Sequence, residues 1–311
     1  MVRDMNHDLI AAGHPALRFD LLLYNENLPK HWNAQNESER RFSRSAIRVR
    51  QVGRAINLVA AASLASERAN DHLADHSAAP WPEFSDYDCF ACHQSLSMRE
   101  YQLPRRADGG RKTPLHVSEG LPVWNSWHTV GNELEMRETR RALEVLSPPR
   151  SDPAKIAPLA KQIAERFLGK AKERMDAAET DAAIRQIAEQ TIRAVQRDLQ
   201  ASAPHDWHQA AIQYMDLDAA ARDLERSQET EWLGRSLARS LATIERQLRF
   251  DPPDEDAAEI KRQSPAHFDP SAFRANLLRL LNEWNRGELR ADRDNEHAIA
   301  IPESSSTVAP R

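Results

Sequence analysis

Large apolar residues in the second half of this chain recur every three or four positions and seldom alternate with polar ones. Ile184, Ile187, Val195 and Leu199 fall on one helical face, and so do Leu233, Leu237, Leu241, Ile244 and Leu248. A stripe of that period is buried by packing α-helices side by side, and near-heptad steps are typical of antiparallel neighbours. The intervening residues favour the same state. Ala, Leu, Glu, Arg and Gln dominate, β-branched residues are sparse, and 9 of the 311 residues are glycine. The expected class is mostly α.

The first half reads as shorter helices around one long one. Asp4 to Ala12 forms a short helix that Gly13 terminates, because glycine is favoured just past a helix end. Pro15 suits the first turn of a second helix. That helix has Leu17, Leu21 and Tyr24 on one face and Leu28 a turn further, and Pro29 ends it. A long helix is expected from Glu39 to Leu73. Val52, Ile56, Val59 and Leu64 give its apolar stripe, with Arg40, Arg41, Arg44, Arg48, Arg50 and Arg54 mostly on the solvated side. Ala78 to Asp88 is rich in proline and aromatics and reads as irregular. Arg105 to Lys112 reads as a flexible turn. The segment Leu121 to His128 starts another helix, which continues to about Leu146.

Pro148-Pro149 marks a boundary, giving a first region over residues 1–147 and a helical bundle over residues 150–290. The last helix of the bundle is entered through Phe268-Asp269-Pro270 and carries Phe273, Leu277, Leu280, Leu281 and Trp284. Residues 291–311 show no periodic face and are expected to be disordered.

Charge and motifs exclude several classes. A net charge of −5 gives no basis for binding nucleic acid or an anionic membrane. No apolar run reaches the ~18 residues that a spanning helix needs. The chain has no G-x-S-x-G, no H-E-x-x-H and no glycine-rich phosphate loop, so nothing supports hydrolysis or group transfer.

The only two cysteines sit together in Asp88-Cys89-Phe90-Ala91-Cys92-His93. That is the C-x-x-C-H spacing of covalent c-type haem attachment. Two thiols add across the two vinyl groups of one porphyrin, and the adjoining histidine gives its imidazole to the iron. The same residues admit other readings. A C-x-x-C pair can be half of a zinc site, although no second half of fixed spacing is present. It can also be a redox pair, which expects a βαβ pattern that this sequence lacks. It can simply be two unmetallated thiols.

Several further stretches accompany the motif. Asp4-Met5-Asn6-His7-Asp8-Leu9-Ile10-Ala11-Ala12-Gly13-His14-Pro15 is followed by Pro29-Lys30-His31-Trp32. Trp81-Pro82-Glu83-Phe84 then leads to Tyr87 and the cysteines. Together these resemble the multihaem cytochrome c family, in relatives with a domain similar to the tetrahaem cytochrome that takes electrons from hydroxylamine oxidoreductase. Phe268 to Arg274 is also similar to the closing helix of such proteins. The resemblance covers most of residues 4–135 and, weakly, the remainder.

It implies an electron-transfer protein with covalently attached haem c, bis-histidine iron and redox proteins as partners. Cys89 and Cys92 carry over as thioether donors and His93 as proximal ligand. His7 and His14 match the family's motif histidines and are candidate distal ligands, of which one haem can use one. An open axial site would instead make the iron an oxidoreductase centre.

In the family several C-x-x-C-H motifs precede the His7–His14 segment, and here none does. The chain is therefore expected to be the C-terminal portion of a longer cytochrome, in contact with haems of the missing portion. Haem attachment implies an extracytoplasmic location. Met1 to Asp8 lack the basic and apolar regions of a secretory signal, consistent with a start inside a family domain. The competing class is a non-haem helical interaction or structural module, with Cys89 and Cys92 reduced or holding zinc.

The other histidines rank lower as ligands. His31, His116 and His128 have some claim, whereas His72, His76, His205, His208, His267 and His297 are expected at the surface. Met98 lies too close behind His93 to reach the opposite face of the iron. Trp81, Phe84, Phe90, Trp124 and Trp127 flank the motif, either as haem packing or as ordinary core. The arginines of the long helix form a solvated face or, in the sharper option, contact haem propionates.

Overall fold

The structure is a computed structural model that describes residues 6–12, 18–28, 45–75, 81–87, 124–129, 152–177, 180–201, 207–249 and 268–286. Among these the chain is mostly α-helical, as expected. The helices are α1 (His7–Ala11), α2 (Leu21–Asn27), α3 (Ala46–Ala74), α4 (Ser126–Thr129) and α5 (Pro153–Asp176). They continue with α6 (Asp181–Ala201), α7 (Trp207–Glu225), α8 (Glu231–Glu245) and α9 (Pro270–Arg286), and a 3₁₀ turn covers Phe84–Asp86.

The longest helices, α3 and α5, pair antiparallel along a seam of small residues. Ala55, Ala62 and Ala69 stand one heptad apart on α3, and Ala157, Ala164 and Ala171 do so on α5; all six are buried. Side chains this small let two backbones approach closely while the heptad repeat keeps the seam facing its partner. The register is fixed at both ends. Ser66 Oγ donates to the Ala157 carbonyl at 2.8 Å. At the other end Arg48 Nη1 donates to the Ala177 carbonyl at 2.8 Å and Arg174 Nη1 to that of Gln51 at 3.3 Å.

A second core gathers α6, α7, α8 and α9, with α7 in the middle. Ala210, Leu217, Ala219, Ala220, Ala221 and Leu224 leave α7 with almost no exposed face. The expected stripes are in place: Val195, Leu199, Leu237, Leu241, Ile244, Phe273, Leu277 and Leu281 are all buried here. Asp269 caps α9, its Oδ1 accepting from the Ser271 amide at 2.8 Å and the Ala272 amide at 3.1 Å. Ala46 and Ile47 of α3 enter this same core, and the rest of α3 packs on α5. The stretches on either side of Pro148-Pro149 thus share both cores. Residues 291–311 lie outside the described residues.

Helices α7 and α8 approach each other at Gly234. A Cβ built there would meet the Glu225 amide nitrogen and lie 2.5 Å from the Ala221 carbonyl oxygen, both backbone atoms that cannot swing aside. Gly234→Ala is therefore expected to cost about 2 kcal/mol, as overpacking of a tight contact does. The check is the midpoint of urea unfolding. A variant as stable as the parent would mean that the two helices lie further apart than described.

Three sequence expectations need correction. Arg48 and Arg50 are buried, 4% and 2% exposed, and do not lie on a solvated face. Arg48 is held by the Ala177 carbonyl, and Arg50 by acids brought in from elsewhere. Arg50 Nε donates to Asp216 Oδ1 at 2.9 Å, and its Nη1 binds Asp20, which also caps α2. Arg54 Nη1 takes the second oxygen of Asp216. Ile56, assigned to the apolar stripe, is instead 38% exposed. Helix α2 starts at Leu21 behind its Asp20 cap, so Leu17 and Pro15 lie outside the described residues and Leu28 falls past its end. The start of α3 is capped from a distance: Asp223 of α7 accepts from Ser45 Oγ at 2.6 Å and from the Ala46 and Ile47 amides at 2.8 and 3.1 Å.

Candidate cofactor-attachment site

The chain runs into the C-x-x-C-H motif through residues 81–87, and this lead-in is fastened at several points. Trp81-Pro82 is a cis peptide. Glu83 Oε1 accepts from the Ser85 amide at 3.0 Å and so caps the 3₁₀ turn. Asp86 Oδ1 accepts from Arg68 Nη1 at 2.6 Å, tying the turn to α3. Tyr87 forms an isolated antiparallel bridge with Trp124, and the Asn125 amide donates to the Asp86 carbonyl at 3.0 Å. Tyr87 and Trp124 are buried against the α3–α5 seam beside Ile156. Burial, helped by the Asp86 charge, pushes the Tyr87 phenol well above its ordinary value, so it stays neutral.

His7 is the sequence-selected ligand that the structure brings to this lead-in. It opens α1, which Asn6 caps through a 2.9 Å bond from the Leu9 amide. The His7 amide donates to Glu83 Oε1 at 2.8 Å. Its ring stands edge-on to Phe84 with centroids 5.9 Å apart. The side chain is 43% exposed, so the imidazole is held by its backbone and one ring face and still reaches solvent.

Cys89, Cys92, His93 and His14 lie outside the described residues, as do His31, Met98 and His116. His76, His205, His267 and His297 lie outside them too, and the expected helix toward Leu146 is described only as far as α4. His72 is partly covered near the end of α3. His208 corrects a further expectation: it is 1% exposed and not at the surface. Its ring meets those of Trp207 at 5.5 Å and Trp127 at 6.2 Å, because α7 is packed on nearly every side, its first turn included. The available signal was its place one helical turn ahead of Ile212.

His128 is held in α4, between α3 and α7, with its Nδ1 buried and without a hydrogen-bond partner. Burial lowers its pKa to about 4, so the imidazole is neutral at physiological pH.

The donor set fits a c-type haem: two thiols at the required spacing and an adjoining imidazole. Around the lead-in, the His7 amide is bonded to Glu83, and Tyr87 and Trp124 are buried. Among the described residues no three His, Cys, Asp or Glu side chains gather closely enough to hold a metal ion. Among the described residues no helix is long and apolar enough to cross a membrane. The residue that sequence reasoning missed is Glu83, whose bond to His7 spans 76 positions.

Comparison of the chain with family models, with curated proteins and with solved structures found no match. The reading of this site rests on the chain's own residues.

Proposed function

We propose that this chain is an electron carrier with one covalently attached c-type haem, bonded through Cys89 and Cys92 and ligated by His93. The supporting observation is that the C-x-x-C-H donor set continues from a lead-in to which His7 is fastened. When bound, the group supplies a one-electron ferrous–ferric couple. The chain's own residues do the rest. Cys89 and Cys92 would anchor the group, His93 would ligate it, and His7, or His14 from the same N-terminal segment, would offer a second imidazole. With two imidazoles as ligands the chain would pass electrons to redox proteins and not act on a substrate. Tyr87 and Trp124 are buried and Trp81 is half-buried beside them, and an apolar shell of this kind is one of the protein's levers on redox potential. Attachment would require maturation outside the cytoplasm.

The test is to express the chain behind an export signal together with cytochrome maturation machinery. The expected result is a Soret band that survives acid–acetone extraction and disappears in Cys89→Ser with Cys92→Ser. Folded, exported protein without colour overturns the proposal. Retained zinc in that protein points to a metal site at the same thiols, and metal-free helical protein points to an interaction module.

A further inference from the structure

We infer that Glu83 is a positioning residue of this site: its buried carboxylate fixes α1, and with it His7, to the segment that runs into Cys89, Cys92 and His93. The inference rests on the haem reading above, with His7 as the second imidazole.

Glu83 is 7% exposed, and a carboxylate is seldom withdrawn from water without specific donors. One oxygen, Oε1, accepts both the His7 amide at 2.8 Å and the Ser85 amide at 3.0 Å. A single side chain therefore caps two helical turns from distant parts of the chain. The bond comes from the backbone of His7 itself, so it sets where that residue stands, while the edge contact with Phe84 limits where the ring points. Helix α1 spans 5 residues, has no buried residue, and packs chiefly on the 3₁₀ turn. A helix that short does not persist without tertiary support. Without Glu83, α1 loses its hydrogen bond to the segment at residues 81–87.

Two readouts separate positioning from general stability. In the haem-free chain, hydrogen exchange of the His7 amide should speed up about tenfold or more in Glu83→Ala, the scale for losing a bond to a charged acceptor. Glu83→Gln retains an accepting oxygen and should stay within about threefold of the parent on the same scale. In the haem-loaded chain, Glu83→Ala and His7→Ala should both let the ferrous protein bind carbon monoxide, while the parent and Glu83→Gln should resist it. If Glu83→Ala fails to fold, Glu83→Asp, which withdraws the oxygen by one methylene, should give the same two changes.

Unchanged His7 exchange overturns the tether. Faster exchange with carbon monoxide binding unchanged overturns the role at the site. A parent chain that carries no covalent haem overturns the haem reading and this inference with it, a result that the exchange measurement keeps distinct from failure of the tether.

Discussion

Asp216→Ala is expected to lower the unfolding free energy by about 3–5 kcal/mol, the cost of breaking a buried ion pair from one side. Asp216 faces two guanidinium groups at once. The Arg50 side chain is 2% exposed and that of Arg54 is 16% exposed. Arg50 keeps Asp20 when Asp216 is removed, but Arg54 has no second carboxylate described, and its Nε and Nη2 are already buried without hydrogen-bond partners. The loss therefore falls mainly on Arg54. Adding Arg54→Met should recover part of it, because the double variant no longer buries an unpaired charge. A coupling of about 1–3 kcal/mol between the two positions is expected from a double-mutant cycle in urea.

The pH dependence has a definite sign. Burial alone would raise the Asp216 carboxyl, but the Arg54 and Arg50 charges and hydrogen bonds outweigh it and hold the carboxyl below its ordinary value. Its contribution is present above the unfolded value of about 3.9 and disappears as pH falls through the folded one. The effect of Asp216→Ala should be full-sized at neutral pH and shrink in strong acid. A loss under about 1 kcal/mol at neutral pH would contradict the burial of this network.

The second large effect is acid sensitivity from His128. Its pKa falls from 6.5 to about 4 because the ring is buried. The unfolded chain binds that proton more readily than the folded one, so stability drops as pH falls from about 6.5 to about 4. The ceiling is about 3 kcal/mol, at ~1.4 kcal/mol per pH unit. Asp223 and Asp218 act the other way near the bottom of this window, since desolvation raises both carboxyls and favours their protonated forms in the fold. The comparison that isolates His128 is therefore the difference between parent and His128→Gln across pH 7 to 4. The variant should show the flatter profile, and identical slopes would mean that the imidazole is not held neutral. The consequence reaches the site. Trp124, four positions before His128, pairs with Tyr87 in the lead-in, so acid that unseats α4 also loosens the approach to the cysteines.

What the sequence discloses follows the range over which each signal acts. The stripe from Leu237 to Leu248 and the entry to the last helix through Phe268-Asp269-Pro270 are local, and both are read correctly from neighbours within a few positions. The burial of Arg50 depends on Asp216, 166 positions away, and a one-dimensional pattern can only register an arginine on a helix. The α3–α5 seam is built of alanine, whose small apolar surface gives little hydropathy contrast even though the heptad spacing is there. His208 is covered because α7 is surrounded, a property of the assembly and not of its own surroundings in sequence. At the candidate site, the proposed donor set lies within six consecutive residues, whereas the Glu83–His7 bond joins two segments 76 positions apart and leaves no pattern in the sequence.

The central claim is a covalent bond between this polypeptide and a porphyrin, and denaturing mass spectrometry of the exported chain tests it most directly. The account predicts a single species heavier than the polypeptide by one haem, with both cysteine thiols blocked to alkylation. A folded chain at the bare polypeptide mass, with Cys89 and Cys92 both open to alkylation, would contradict it.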